Sequence, residues 1–269
     1  MLRYAHLIPR LAAVVLAFAA ALTALKAQTA RPEIDVAIVL AVDISYSMDM
    51  EEQQLQREGY TRAITSRDVL DAIRQGPSGR IALAYVEWAG THAREVLVPW
   101  MIVDGPESAD QFTKLFNARP IKRASRTSVS GAIDIGVELL DALPFNALRK
   151  VIDVSGDGPN NNGRPVEHAR QEALDKGIII NGLPVMLDRS ASSAFDIPGL
   201  DRYYEDCVVG GPGSFMVTIR ERGQFIEATR NKLIREIADL GAPAVLRIND
   251  HPRADCFIGE KQWRQRWGN

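Results

Sequence analysis

Cysteine is almost absent from this chain of 269 residues. Only Cys207 and Cys256 occur, so neither a paired-cysteine metal knuckle nor a small disulfide-packed scaffold is possible. Charge of one sign is missing too. The formal net charge is −2, which gives no reason to expect nucleic acid or an anionic membrane as partner. Histidines are few and scattered: His92, His168 and His251 form neither a metal triad nor a Ser–His pair. No Gly-x-Ser-x-Gly elbow, phosphate-binding loop, repeat or low-complexity linker is present. What remains is ordinary for a folded α/β chain: 46% hydrophobic and 25% charged residues.

The one long hydrophobic run lies near the start. Arg3 and Arg10 precede an apolar stretch from Leu11 to Leu25, broken only by Thr23. That is about 15 residues, against about 20 for a membrane-spanning helix. A basic flank, a short apolar core and small residues near Ala27 predict a signal peptide over 1–27, with cleavage after Ala30 as the alternative site and an uncleaved membrane anchor as the competing reading. No cysteine lies near the cleavage region to carry a lipid. The implied location is periplasmic or secreted, with no integral span after cleavage. Such compartments permit disulfides, so a Cys207–Cys256 bridge is predicted.

The mature chain alternates strand and helix. Ile34–Val42 is a β-branched apolar run suited to a central strand buried on both faces. A helical stretch follows through Leu55, Gly59, Ala63, Leu70 and Ile73. Arg80–Trp88 and Glu95–Val103 read as strands joined by a turn at Gly90, and Pro99 marks the second as an edge. Helices are predicted at 106–117, Thr127–Leu140, Pro165–Lys176 and Phe225–Leu240. Strands are predicted at Arg149–Val154, Gly177–Met186 and Phe215–Ile219. This pattern predicts an α/β fold: a doubly wound, mostly parallel sheet with helices on both faces and one antiparallel edge strand. It occupies residues 34–240, and residues 241–269 form a tail packed on the domain.

Three polar segments fall at strand ends or helix starts, where open α/β sheets bind ligands. They are Asp43-Ile44-Ser45-Tyr46-Ser47, Arg126-Thr127-Ser128 and Ser155-Gly156-Asp157-Gly158. Carboxylates with hydroxyls suit a hard cation such as Mg2+. The same residues also suit helix capping: Ser47 or Asp49 for one helix, Thr127 for another.

At these residues the chain resembles the von Willebrand factor type A domain. The resemblance runs through residues 34–240, and its metal-ion-dependent adhesion site pattern matches Asp43, Ser45 and Ser47, then Thr127, then Asp157. One departure is Val129, where the family often has a second threonine. The stretch Asp153–Asn161, with the signal peptide, is similar to an exported bacterial group of such domains, the DUF1194 type. The resemblance implies a bound Mg2+ or Mn2+ with an open position, filled by a carboxylate from a partner protein. It therefore implies an adhesion or scaffolding module and no catalysis.

Around this centre, Tyr46, Asn160 and Asn161 are candidates for a partner-binding rim, and a plain turn is the competing reading of the asparagines. Asp153 reads as a satisfied buried carboxylate or a group behind the metal site. Trp263 and Trp267 read as packing anchors, with a sugar platform as alternative. A metal-assisted hydrolase with Asp43 as nucleophile is the competing function. Phosphatases of the haloacid dehalogenase type need a second Asp two residues on, and Ser45 stands there.

Overall fold

The computed structural model describes residues 31–187, 197–238 and 252–268. The predicted signal peptide, Leu240 at the end of the last predicted helix and His251 lie outside them. From Glu33 onward the chain forms one compact unit.

Strand β1 (Glu33–Asp43) is the centre of a five-stranded sheet ordered β3-β2-β1-β4-β5. β2 (Ile81–Trp88) and β4 (Asn146–Gly156) flank it in parallel, and β5 (Ile179–Pro184) continues the parallel side. β3 (Arg94–Val103) closes the other side antiparallel. Its pairing with β2 shifts register between Leu83 and Tyr85, opposite the stretch containing Pro99. Proline has no N–H for a ladder, so an irregular edge is where it fits. The fold is the α/β arrangement predicted.

β1 shows why the sheet sits where it does. Val36, Ile38, Leu40 and Val42 point into one core, and Ala37, Val39 and Ala41 into the other. The first core receives helices α1 (Met50–Ile64), α2 (Arg67–Gln75), α3 (Pro106–Asn117) and α7 (Phe225–Ala238). The second receives α4 (Val129–Asp141), α5 (Val166–Asp175) and the short α6 (Leu200–Tyr203). Burying each large aliphatic side chain contributes roughly 1.5–3 kcal/mol, so a strand covered on both faces is the most heavily stabilised element.

Two local predictions need correction. The helical stretch through Leu55–Ile73 is two helices. The Ser66 hydroxyl accepts the Val69 N–H at 3.3 Å and starts α2 anew. Phe215–Ile219 does not form a strand of the sheet; it meets β5 and the residue after it at isolated bridges, Gly182 with Met216 and Val185 with Ile219. The Asn181 side chain accepts the Phe215 N–H at 3.0 Å, while the Phe215 carbonyl accepts the Gly182 N–H at 3.1 Å.

The chain after α6 continues as a π-helical turn, Tyr204–Val208. Cys207 in this turn is bonded to Cys256, ahead of the last helix, α8 (Ile258–Trp267). The sequence separation is 49 residues. Closing a loop of that size stabilises the folded chain by about 4 kcal/mol in the chain-entropy model. Among the described residues, no helix is long and apolar enough to cross a membrane.

Candidate metal centre

The polar segments meet at the carboxyl end of the sheet. Asp43 is the last residue of β1, and Asp157 follows β4, the neighbouring strand. Asp43 Oδ1 accepts the Ser45 N–H at 2.6 Å, which bends the chain back over the strand end. The Ser45 and Ser47 hydroxyls are 2.7 Å apart, and Ser47 Oγ donates to Asp157 Oδ1 at 2.6 Å. Four of the five predicted ligands are thus linked in one hydrogen-bonded chain. Thr127 stands beside them: its Oγ1 is 3.8 Å from where a Cβ on Gly158 would be.

The capping roles fall elsewhere. Asp49 caps α1, with its carboxylate on the Glu52 N–H and the Glu52 carboxylate on the Asp49 N–H. Ser128, not Thr127, caps α4 through the Gly131 N–H. Ser47 and Thr127 are therefore not spent as helix caps.

Asp43 is fully buried, and its Oδ2 has no hydrogen-bond partner. Burial pushes its carboxyl well above the usual carboxylate range. The like charge of Asp157 pushes the same way, and hydrogen bonds from Ser45 oppose them. An ionised acid placed here lacks a counter-charge, and desolvating it is costly. Gly156 leaves room at this point, since a Cβ there would come within 2.9 Å of both Asp43 Oδ2 and Tyr204 Oη. Tyr204 Oη is also buried without a hydrogen-bond partner. The donors, two carboxylates and three hydroxyls, fit a hard divalent ion. Among the described residues no cluster of three or more His, Cys, Asp or Glu offers a different kind of metal site.

The asparagines do not form a partner-facing rim. Asn160 is fully buried and Asn161 is 8% exposed. Three successive side-chain oxygens hold the first turn of α4, the residue before its cap and the Thr91 turn. Asn160 accepts the Ser130 N–H at 3.0 Å, Asn161 the Thr127 N–H at 2.9 Å and Asn162 the Thr91 N–H at 2.8 Å. Backbone donors at loops have no ladder to satisfy them, so the side chains do it. Their effect is to fix Thr127 against the Asp157 loop. Tyr46, by contrast, is 60% exposed, with the Arg123 guanidinium 5.2 Å from its ring centroid.

Tyr204 was not visible as a site residue in sequence. It reaches Asp43 from a π turn more than 150 positions away and belongs to no motif. Asp153 pairs with Leu40 in the sheet, three residues before Asp43. It pairs with Lys232 Nζ at 2.6 Å and accepts from Tyr60 Oη at 3.4 Å. It is a satisfied buried carboxylate, as predicted.

Solved structures share this fold, a von Willebrand factor type A protein among them. The pilus adhesin SpaC from Lactobacillus rhamnosus GG aligns with a TM-score of 0.57 at 13% identity, over 79% of this chain and 31% of that one. A von Willebrand factor type A protein from Catenulispora acidiphila gives 0.54 at 13% identity, over 76% and 43%. Proximal thread matrix protein 1 from the mussel byssus, with a zinc-occupied adhesion-site motif, gives 0.52 at 16% identity, over 76% and 46%. The chain spans less than half the length of each of these proteins, and the likeness is one of fold. No curated protein matches it in sequence. The model of the family described as "Protein of unknown function (DUF1194)" matches residues 33–241, more than half of the chain. With a von Willebrand type A fold and that match, the chain belongs to the DUF1194 family.

Proposed function

We propose that this chain is an exported protein-binding module that holds a divalent cation, Mg2+ or Mn2+, at Asp43, Ser45, Ser47, Thr127 and Asp157. The ion bridges to a carboxylate of a partner protein. The observation that carries this reading is the Asp43 carboxylate. It is buried, has one oxygen without a hydrogen-bond partner, and its strongest charged neighbour is another acid. When bound, the ion supplies positive charge and an open coordination position. Ser45, Ser47 and Thr127 are neutral donors, so they leave that charge largely intact for an incoming acid. The Ser47–Asp157 hydrogen bond orients both groups. The asparagine clamp holds Thr127 in place, so little reordering accompanies binding.

Adhesion and matrix proteins among the structures of like fold, one of them zinc-loaded at the corresponding motif, support the reading. The apolar leader over 1–27 supports export to the periplasm or beyond. The hydrolase alternative lacks its second acid at Ser45, and no observation favours it.

Calorimetric titration of Mg2+ into the wild type and the Ser45→Ala/Ser47→Ala double variant tests the ion. Binding is expected only in the wild type, and equal affinity removes the assignment. Periplasmic cross-linking tests the bridge. The cross-linked complex should vanish in EDTA and return with excess Mg2+; a complex that persists in EDTA removes the bridge.

A further inference from the structure

Helix α8 lies against the same loops that form the metal centre. Gly259 packs directly on the backbone of the Asp157 loop. A Cβ at this position would collide with the Asn160 carbonyl and stand 3.1 Å from Pro159 Cγ. The Glu260 carboxylate accepts Asn160 Nδ2 at 2.7 Å. The disulfide and the Ala254 N–H bond to Asp206 Oδ2, 2.7 Å, anchor the approach to the helix.

The outer turns of α8 meet the Thr127 side of the site. Arg126, next to Thr127, is held at φ 72, the one non-glycine residue with positive φ among those described. An arginine there carries a steric penalty that glycine would avoid. Its guanidinium lies 3.2 Å from the Trp263 ring centroid. Trp263 stacks on Trp267 at 5.8 Å between centroids and 26° between planes. Trp267 is 62% exposed. The expectation that both tryptophans serve as packing anchors therefore fails for Trp267. A second aromatic–cation pair, Tyr46 with Arg123, stands on the Ser45–Ser47 side. Arg264 and Arg266 are exposed on α8, while its acid Glu260 is engaged with Asn160. A chain of net charge −2 has thus gathered arginines and open aromatic rings around one end of its sheet.

We propose that α8 completes the docking surface, and that the Arg126–Trp263–Trp267 platform receives an extended acidic segment of a partner protein. One carboxylate of that segment reaches the metal, a neighbouring apolar side chain lies on Trp267, and a further acid faces Arg264 and Arg266. This inference rests on the metal-bridge reading and adds the chemistry of the partner to it. Tryptophan and arginine are the residues that most often dominate such interfaces, and charge complementarity selects the acidic segment.

The test uses the full disulfide-bonded chain in Mg2+ and a fluorescein-labelled peptide alternating aspartate and phenylalanine, read by anisotropy. Trp267→Ala should weaken binding roughly 10- to 30-fold while Mg2+ affinity stays unchanged. Arg264→Glu should weaken it as well. Both residues are exposed, so the fold survives either change. Wild-type affinity in Trp267→Ala overturns the inference. If EDTA abolishes binding in that case, the metal reading stands alone. If Trp267→Ala weakens binding and EDTA does not, the platform holds and the bridge falls. Equal binding of a lysine–phenylalanine peptide, single-stranded DNA or anionic vesicles overturns the acidic-protein partner, as does no binding of the acidic peptide.

Discussion

Asp43 and Asp153 lie on neighbouring strands, and both are fully shielded from solvent. Asp153 faces inward, where α7 delivers Lys232 at 2.6 Å and Glu236 beside it at 2.5 Å from the lysine. Asn181 Nδ2 donates to Glu236 Oε1 at 2.9 Å. The fold has supplied this acid with its own cation. Asp43 lies at the strand end, where Tyr204 and Asp157 face it and no Lys or Arg among the described residues pairs with it. The same residue type at similar burial is paired with a cation of the fold at one place and left without one at the other. Burial alone therefore does not single out a candidate site acid; the absence of an internal counter-charge is what separates the two.

The largest expected effect comes from breaking the compensated centre. Lys232→Met leaves two buried acids without their cation and should destabilise the protein by roughly 3–5 kcal/mol in urea unfolding. Adding Asp153→Leu and Glu236→Leu should recover most of that loss. If Lys232→Met alone is neutral, the two acids do not differ in the way described. Next is the effect of the ion. Mg2+ at a hundredfold excess over its Kd should raise the unfolding free energy by about 2.7 kcal/mol. The Ser45→Ala/Ser47→Ala variant should show no change.

A pH dependence sharpens the contrast further. Burial, with the nearby Asp153 charge, raises the Glu236 carboxyl to about 7 against the opposing Lys232. The folded state then holds a proton that the unfolded state has released. The contribution of Glu236 to stability should fall as pH rises from about 4.5 through 7, with a slope of at most about 1.4 kcal/mol per pH unit from this one group. Glu236→Gln should flatten that slope in urea unfolding measured across the range. The smallest change is Asp157→Asn. It removes the like charge beside Asp43 and should stabilise the metal-free protein slightly. Mg2+ affinity should drop roughly 10- to 100-fold by calorimetry, and an unchanged affinity would separate Asp157 from the site.

The sheet was legible because its central strands are continuous apolar runs, and Pro99 marked its edge. Helix α3 was legible from Pro106 at its start. The break at Thr65–Ser66 was hidden, because apolar spacing continues across it and only the Ser66 cap separates the helices. The strand-end segments carrying Asp43, Thr127 and Asp157 could be placed together from their order alone. Their surroundings could not. Tyr204 and the Asn160–Asn162 clamp act through contacts between segments far apart in sequence. Lys232 reads in sequence as one more polar residue of an amphipathic helix, and only the packing of α7 on the sheet sets it against Asp153. The exposure of Trp267 was equally hidden, since aromatic residues in a tail suggest burial until the helix that presents them is seen.

β1 runs from Glu33 to Asp43 without interruption. At about 3.3 Å per residue, its two ends are roughly 33 Å apart. The candidate site is at the far end, and the chain enters the domain at the near one. Anything attached ahead of Glu33, whether a surface linkage, an affinity handle or a fused partner, joins the molecule at the end of β1 opposite the candidate site. Immobilised by that end, the domain presents Tyr46 and Trp267 outward, like a hand on an arm. A fusion made through the carboxyl end would instead begin beside Trp267 and crowd the proposed docking face.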